Sequence, residues 1–209
     1  MIISNSKYLI LILLASTLLI NSCRKDYTQD ELDYIKSIED SRSEKDSIFQ
    51  NDPSSPFNFK GKVHFHSLNY FDVNPDFVLV SKLYENETKD SVTIFGTKGE
   101  ERFAIRYGFL KLNYKRTEFN LNVYETIYQD TLKYYSIWFT DETTNDETYS
   151  VGRYINFEIN ENQDHIYKID FNTAYNPYCA YTPTYSCAIP TKEDHLDLAI
   201  KAGEKKFHD

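Results

Sequence analysis

The sequence predicts a mainly β fold: an antiparallel meander, closed as a barrel or folded as a sandwich, with a helix at each end. Between residues 57 and 171, apolar residues recur with a period of two, which is typical of strands. Short polar turns separate these stretches, and gaps of hairpin length favour antiparallel neighbours. Helical spacing of apolar residues occurs only before and after this region.

The first 22 residues have the pattern of a lipoprotein signal peptide. Lys7 precedes an apolar stretch, Tyr8–Ile20, which at 13 residues is shorter than the roughly 20 that a spanning helix needs. A small residue and then Cys23 follow, as in bacterial lipoproteins, where the cysteine is acylated and becomes the mature N-terminus. We therefore expect a protein of the bacterial cell envelope, lipid-anchored at Cys23 to a membrane and facing the periplasm or the cell surface.

The rest of the chain divides into a tether with a helix, residues 23–56, and a β domain with a C-terminal helix, residues 57–209. Thr28 and Glu31 have capping-box spacing, which predicts the start of the first helix. Eight strands are predicted in the β domain. Their ranges are Val63–Phe71, Phe77–Tyr84, Val92–Gly96, Arg102–Tyr114, Glu118–Thr126, Thr131–Thr140, Tyr149–Ile159 and Ile166–Phe171.

Two places within the β domain carry more specific predictions. Apolar residues of Arg102–Tyr114 shift from odd to even positions beside Gly108, as expected of a β-bulge. In Glu118–Thr126, Tyr124 falls on the polar side of the alternation, which predicts that this strand is half exposed.

The segment Asp170–Pro190 is the predicted site. It is rich in proline and tyrosine and shows no regular period, and a loop of this length in a compact domain is uncommon unless it is functional or braced. After it, Thr191 and Asp194 are placed to cap a helix. Gly203 is placed to end that helix in a left-handed conformation.

Charge argues against nucleic acid as a partner. Without the signal segment, the chain has 22 basic and 32 acidic residues, a net charge of −10. An acidic surface repels phosphate backbones.

Arg153 is the first candidate binding residue. Strand alternation points it to the apolar face, and a buried guanidinium needs a carboxylate or a bound anion. The candidate carboxylates are Asp141, Asp170 and Glu204. Both interpretations, a structural ion pair and a ligand-binding cation, stay open.

Four more polar residues lie at the end of the last predicted strand: Asp170, Asn172, Tyr175 and Asn176. Their side chains can converge on a ligand. Asp and Asn also build turns by bonding to their own backbone, and the sequence favours that role over ligand contact, which stays open.

Cys179 and Cys187 remain once Cys23 is lipidated. In an oxidising compartment an even pair favours a disulfide, and a ring of this size would stabilise the fold by roughly 2.5 kcal/mol. The alternatives are free structural thiols, a metal site and a nucleophilic thiol.

No metal site and no cofactor are predicted. His64 and His66 would share one strand face with Leu68, which favours ordinary sheet histidines. The acidic run from Asp141 to Glu147 lacks the central glycine and final glutamate of an EF-hand loop, and is interpreted as a solvated turn. Glycine-rich phosphate loops and the common hydrolase motifs are absent.

Several segments together resemble a bacterial and archaeal family known only as domain of unknown function sixteen-eighty-four. The segments that carry this resemblance are Glu44–Asp46, Ser55–Pro56, Leu68–Phe71, Tyr149–Tyr154, Asp170–Asn172, Ala174–Pro177, Cys179–Ala180, Cys187 and Ala202–Lys205. They span most of the chain after the signal segment. The resemblance implies a shared fold and supplies no activity.

Three functions are consistent with these observations. The first is a module that binds a small polar or anionic ligand, or a partner, through Arg153 and the Asp170–Asn176 group. The second is an envelope enzyme of the hydrolase type that uses Cys179 or a carboxylate on the Asp170–Pro190 loop. The third is a purely structural envelope protein, which predicts no closed pocket near Arg153.

Overall fold

The computed structural model describes residues 25–59, 63–128 and 132–208. The predicted signal peptide and Cys23 lie outside these residues. The chain divides between Asp33 and Tyr34 into two compact units, and the β structure belongs to the second. Within the described residues, no helix combines the length and the apolar character needed to cross a membrane.

Helix α1 comprises Gln29–Asn51. The predicted capping box is confirmed: Glu31 N donates to Thr28 Oγ1, and Thr28 N donates to Glu31 Oε2 at 2.9 Å. Two apolar residues of the helix, Leu32 and Ile48, are about half exposed. Within the second unit, the helix is attached mainly by polar side chains and by one buried ring, that of Phe49.

Seven strands form a large sheet around a meander. Their bounds are β2 Leu83–Glu85, β3 Ser91–Phe95, β4 Glu101–Tyr114, β5 Thr117–Tyr128, β6 Leu132–Asp141, β7 Arg153–Phe157 and β9 His195–Leu196. Strands β4 to β7 pair antiparallel in chain order, β2 and β3 both pair with β4, and the two-residue β9 pairs parallel with β6.

A second sheet contains β1, Val78–Ser81, and β8, Tyr167–Asp170, paired antiparallel. Residues of both sheets share the main hydrophobic core, in which Leu110 and Ile137 of the large sheet meet Ile169 of β8. The prediction of a mainly β, antiparallel fold is therefore confirmed. The ladders of the described strands do not join into a closed ring, so the structure gives no closed barrel in this part of the chain.

The predicted bulge is confirmed. The register between β4 and β5 shifts between Arg106 and Gly108, so Tyr107 is the extra residue. A Cβ on Gly108 would lie 2.5 Å from the carbonyl oxygen of Tyr84, which explains the glycine. The bulge exchanges the faces of β4, so Ala104 and Leu110 lie in different hydrophobic clusters.

The predicted strand Val63–Phe71 is wrong. Residues 63–69 form no strand, and a single bridge joins Tyr70 to Glu204. The apolar residues of the segment pack instead on a local cluster around Phe57 and Phe207. Packing against aromatic rings, and not hydrogen bonding to a neighbouring strand, therefore holds residues 63–69 in place.

The predicted C-terminal helix is also wrong. Thr191 and Asp194 form the capping box, but it closes only the 3-10 turn Lys192–Asp194. An irregular segment without helical hydrogen bonds follows, in which Leu196, Ile200 and Ala202 are buried. The carbonyl oxygens of Ile200 and Ala202 accept hydrogen bonds from a buried arginine instead of from a helical backbone.

Candidate functional site

A cleft of about 1110 Å³ lies against one face of the large sheet. Its volume is comparable with that of small-molecule sites. Eight lining side chains are aromatic. They are Phe49, Phe103, Tyr134, Trp138, Tyr154, Tyr175, Tyr178 and Tyr185.

A row of rings on neighbouring elements forms part of this face. Trp138 stacks on Tyr124 with centroids 4.8 Å apart and planes 9° apart. Tyr154 lies 6.0 Å from Trp138, its register partner across β6 and β7, and Tyr175 lies 6.0 Å from Tyr154. The strand period of two places these side chains on the face opposite Ile137 and Arg153.

The position of Tyr124 contradicts the prediction that the even-numbered face of β5 is exposed. Its side chain is fully buried, and its hydroxyl donates to Asp194 Oδ1 at 2.8 Å. Burial, followed by the Asp194 carboxylate, raises the pKa of Tyr124 to about 12. The turn after the Asp170–Pro190 loop therefore covers part of a face that the alternation predicted to be exposed.

The Asp170–Pro190 segment supplies one wall of the cleft. Eight of the lining residues come from it. Backbone hydrogen bonds in both directions join Tyr175 to Tyr154 of β7, and Ala188 bridges to Gly96 after β3. The segment is thus fixed to the sheet at two points, and the rings of Tyr178 and Tyr185 contact each other between them at 5.2 Å.

The two cysteines lie together in this wall as free thiols. Cys179 N donates to Cys187 Sγ at 3.2 Å, and the Tyr149 hydroxyl lies 3.8 Å from Cys179 Sγ. The hydrogen bond from Cys187 lowers the pKa of Cys179 to about 7, against the opposing effect of burial. The side-chain hydrogen bond between Cys187 and Cys179, followed by burial, raises the pKa of Cys187. Cys187 also lines the cleft.

Arg153 is buried, as strand alternation predicts, with 1% of its side chain exposed. Nη2 lies 2.7 Å from Asp141 Oδ2 and donates to the Ile200 carbonyl at 2.8 Å, while Nη1 donates to the Ala202 carbonyl. Burial lowers the pKa of Arg153, and the Asp141 carboxylate opposes that effect. Of the three candidate carboxylates, Asp141 forms the ion pair. Arg153 does not line the cleft.

Asp170 and Asn172 lie together beside helix α1. Asp170 Oδ2 accepts from the Tyr34 hydroxyl at 2.7 Å, and its Oδ1 accepts from Asn172 N at 2.9 Å. The Asn172 side chain is buried and bonds to both the N–H and the carbonyl of Asn74. The bond between Asp170 and Asn172 is that of a local turn, and the bonds to Tyr34 and Asn74 attach this turn to distant segments.

Asn176 belongs to a separate group centred on Glu204. The buried Glu204 carboxylate accepts from Asn176 N at 2.9 Å and from the Tyr181 hydroxyl at 2.5 Å, and it pairs with Lys45 Nζ at 2.5 Å. Tyr175, by contrast, lines the cleft and donates its hydroxyl to Asn156 Oδ1 at 2.7 Å. The structure therefore places one of the five predicted ligand-binding residues in the cleft.

The other candidates lie elsewhere. His64 is exposed, and His66 stacks on Phe207 with centroids 3.9 Å apart. Asp141 Oδ1 accepts from the N–H and hydroxyl of Thr143, which shapes the acidic turn. Within the described residues, no group of three or more His, Cys, Asp and Glu side chains has the arrangement of a metal site.

Sequence reasoning missed the sheet side of the cleft, above all Trp138, Tyr154 and Arg102. A signal was present, because large aromatic rings stand at even positions of neighbouring strands, where a solvated face would carry small polar residues. Lys45 and Phe49 of helix α1 were also missed, and helical periodicity does not reveal them.

The fold and the cleft define a mainly β, antiparallel protein with a ligand-sized aromatic cavity beside its longest irregular segment. The chain belongs to the family described as protein of unknown function (DUF1684), whose model matches residues 63–205.

A solved structure supports this fold. The chain is similar to an uncharacterized protein of Haloarcula marismortui, determined by solution NMR, with a TM-score of 0.63 and 26% sequence identity. The similarity covers 87% of this chain and 98% of that one. No curated protein matches this chain.

Proposed function

We propose that this protein is a binding module that holds a small molecule in the aromatic cleft. The observation that carries this proposal is the cleft itself, about 1110 Å³ in volume and lined by eight aromatic side chains. Aromatic rings bury a large area and stack on flat or ring-shaped ligands, each such contact contributing about 0.5–1.5 kcal/mol beyond burial. Tyr175 contacts the ligand, and Asp170, Asn172 and Asn176 brace the Asp170–Pro190 segment that forms the wall. Arg153 holds the C-terminal segment on the opposite face of the sheet.

We also propose that the module is lipid-anchored at Cys23 to a membrane of the bacterial envelope. The support is the short apolar stretch Tyr8–Ile20 followed by a small residue and a cysteine. The test is fractionation of cells that express the full chain. We expect the unaltered protein in the membrane fraction, with acyl chains on Cys23 by mass spectrometry. A Cys23→Ala protein that stays in the membrane fraction would contradict the anchor.

The cleft can be tested with its own reporter, because Trp138 is the only tryptophan of the chain. The probe is the neutral fluorophore N-phenyl-1-naphthylamine, added to purified protein that carries Cys23→Ser, so that no acyl chain competes. Energy transfer from Trp138 to the probe should rise and saturate. Absence of saturable transfer would refute the binding proposal.

Two tyrosines form a matched pair for this test. Tyr178 lines the cleft and is 42% exposed, whereas Tyr84 is 45% exposed, stacks on Phe109 and lies outside the lining. Tyr178→Ala should weaken probe binding about fivefold to tenfold, as expected for the loss of one stacking ring. Tyr84→Ala should leave binding unchanged. Equal effects of the two substitutions would place the probe outside the cleft.

A further inference from the structure

The lining of the cleft has a charge opposite to that of the chain. The protein carries a net charge of −9 with 32 acidic residues. Among the described residues that line the cleft, none is Asp or Glu, and two are cations, Lys45 and Arg102. Each cation is paired with a carboxylate that does not line the cleft, Lys45 with Glu204 and Arg102 with Glu100, so the cations are the charged groups that a ligand in the cleft would meet.

The ammonium group of Lys45 lies over two aromatic rings that line the cleft. Its Nζ lies 5.0 Å from the ring centroid of Phe49 and 5.1 Å from that of Tyr175, and both rings line the cleft. The paired Glu204 side chain is 1% exposed, while that of Lys45 is 30% exposed. The ammonium group is therefore the accessible member of the pair. A cationic ligand would compete with it for the same ring faces.

Arg102 is held in a fixed orientation at the wall. Its Nη2 contacts Glu100 Oε1 at 2.5 Å and donates to the Ser186 carbonyl at 2.8 Å, and Ser186 itself lines the cleft. The Arg102 side chain is still 41% exposed. A guanidinium carries five N–H donors in a planar fork, so these contacts leave capacity for an anionic group.

From these contacts we infer that the cleft selects an aromatic ligand that carries one anionic group, with its ring system among the tyrosines and Trp138 and its anion at Arg102 or Lys45. The inference rests on the proposed function and adds the ligand class. A cleft that bound its ligand by stacking alone would accept any flat molecule. The two cations add a preference for a carboxylate or sulfonate on that molecule.

Two fluorophores separate these contributions. 8-Anilinonaphthalene-1-sulfonate is N-phenyl-1-naphthylamine with an added sulfonate, and Trp138 reports on both by energy transfer. With the Cys23→Ser protein at low salt, we expect the sulfonate to bind about fivefold more tightly than the neutral probe. About 1 M salt should largely remove this preference, because it shortens the screening length to about 3 Å.

Arg102→Gln should reduce the preference for the sulfonate over the neutral probe at least twofold. Arg116→Gln is the matched control, because Arg116 is exposed in the β4–β5 turn and lies outside the lining. It removes the same charge and should preserve the preference. Thermal unfolding of both variants should match that of the unaltered protein.

The outcomes distinguish the two proposals. If neither probe shows saturable transfer, the binding function itself fails. If the neutral probe binds as tightly as the sulfonate, binding stands and the anionic ligand class is overturned. A preference that survives both high salt and Arg102→Gln would also overturn it.

Discussion

The Arg153 guanidinium and the Asp141 carboxylate form an ion pair at 2.7 Å in which 1% and 0% of the two side chains are exposed. Asp141 lies at the end of β6, and Arg153 begins β7. Asp141 Oδ2 also accepts from the N–H of Ile200, and Arg153 donates to the Ile200 carbonyl. The pair therefore attaches the irregular C-terminal segment to the sheet through the backbone of that segment.

Removal of the charge on Asp141 should destabilise the fold strongly. Asp141→Asn leaves the Arg153 cation buried without its partner, which typically costs about 3–5 kcal/mol. Urea denaturation followed by circular dichroism measures the change in the free energy of unfolding. Asp164→Asn is the control, because Lys82 and Asp164 form an exposed pair, with 45% and 87% of the side chains exposed, and its loss should leave the free energy of unfolding nearly unchanged. Equal losses for the two variants would contradict the structural role of the buried pair.

Gly203 should tolerate alanine much less well than Gly99. Both glycines have left-handed backbones, with φ of +76° and +85°. A Cβ on Gly203 would lie 2.5 Å from the Ala174 carbonyl oxygen, whereas a Cβ on Gly99 meets nothing within 4 Å. Gly99→Ala should therefore cost only the conformational penalty, about 1 kcal/mol. Gly203→Ala should lower the free energy of unfolding, measured by urea denaturation, by at least about 2 kcal/mol more than Gly99→Ala, because the backbone at Ala174 must move. A similar loss at both positions would show that the close approach to Ala174 is absent.

Alkylation at different pH values should distinguish the two thiols of the Asp170–Pro190 segment. The pKa of Cys179 is lowered to about 7 and that of Cys187 is raised, and the thiolate is the reactive form. In Cys23→Ser protein under reducing conditions, iodoacetamide should modify Cys179 first, with a rate that rises with pH to a midpoint near 7. The rate can be followed by peptide mass spectrometry.

Cys187→Ala is the control for that measurement. The hydrogen bond from Cys187 is the main cause of the lowered pKa of Cys179, so its loss should move the midpoint upward, towards the ordinary thiol value of about 8.5. A midpoint that stays near 7 in Cys187→Ala would assign the effect to another neighbour, such as Tyr149.

Oxidation should join the same two cysteines. We expect oxidised glutathione to convert the two thiols of Cys23→Ser protein into a Cys179–Cys187 disulfide, while the glutathione is reduced to its thiol. The closed ring should raise the free energy of unfolding by roughly 2.5 kcal/mol on the loop-entropy model. Denaturation with and without reductant measures this. A protein that keeps two alkylatable thiols after oxidation would refute the bridge, and Cys187→Ala should show no gain.

Local sequence patterns were sufficient to predict the positions of most strands of the sheet. The period of two located β3 to β8 within a few residues, because one buried face imposes alternation on each strand. The phase shift beside Gly108 located the bulge, since an extra residue must invert that alternation. Arg153 was correctly placed on the buried face for the same reason.

The sequence by itself thus determined the mainly β class, the start of helix α1, the burial of Arg153 and the irregular segment that forms one wall of the cleft. Only the tertiary structure decided that Asp141 is the partner of Arg153, that the chain after Asp194 forms no helix, and that Trp138 and Lys45 line one cavity. The physical reason is that periodicity records whether a side chain is covered, but it carries no information about which distant segment covers it.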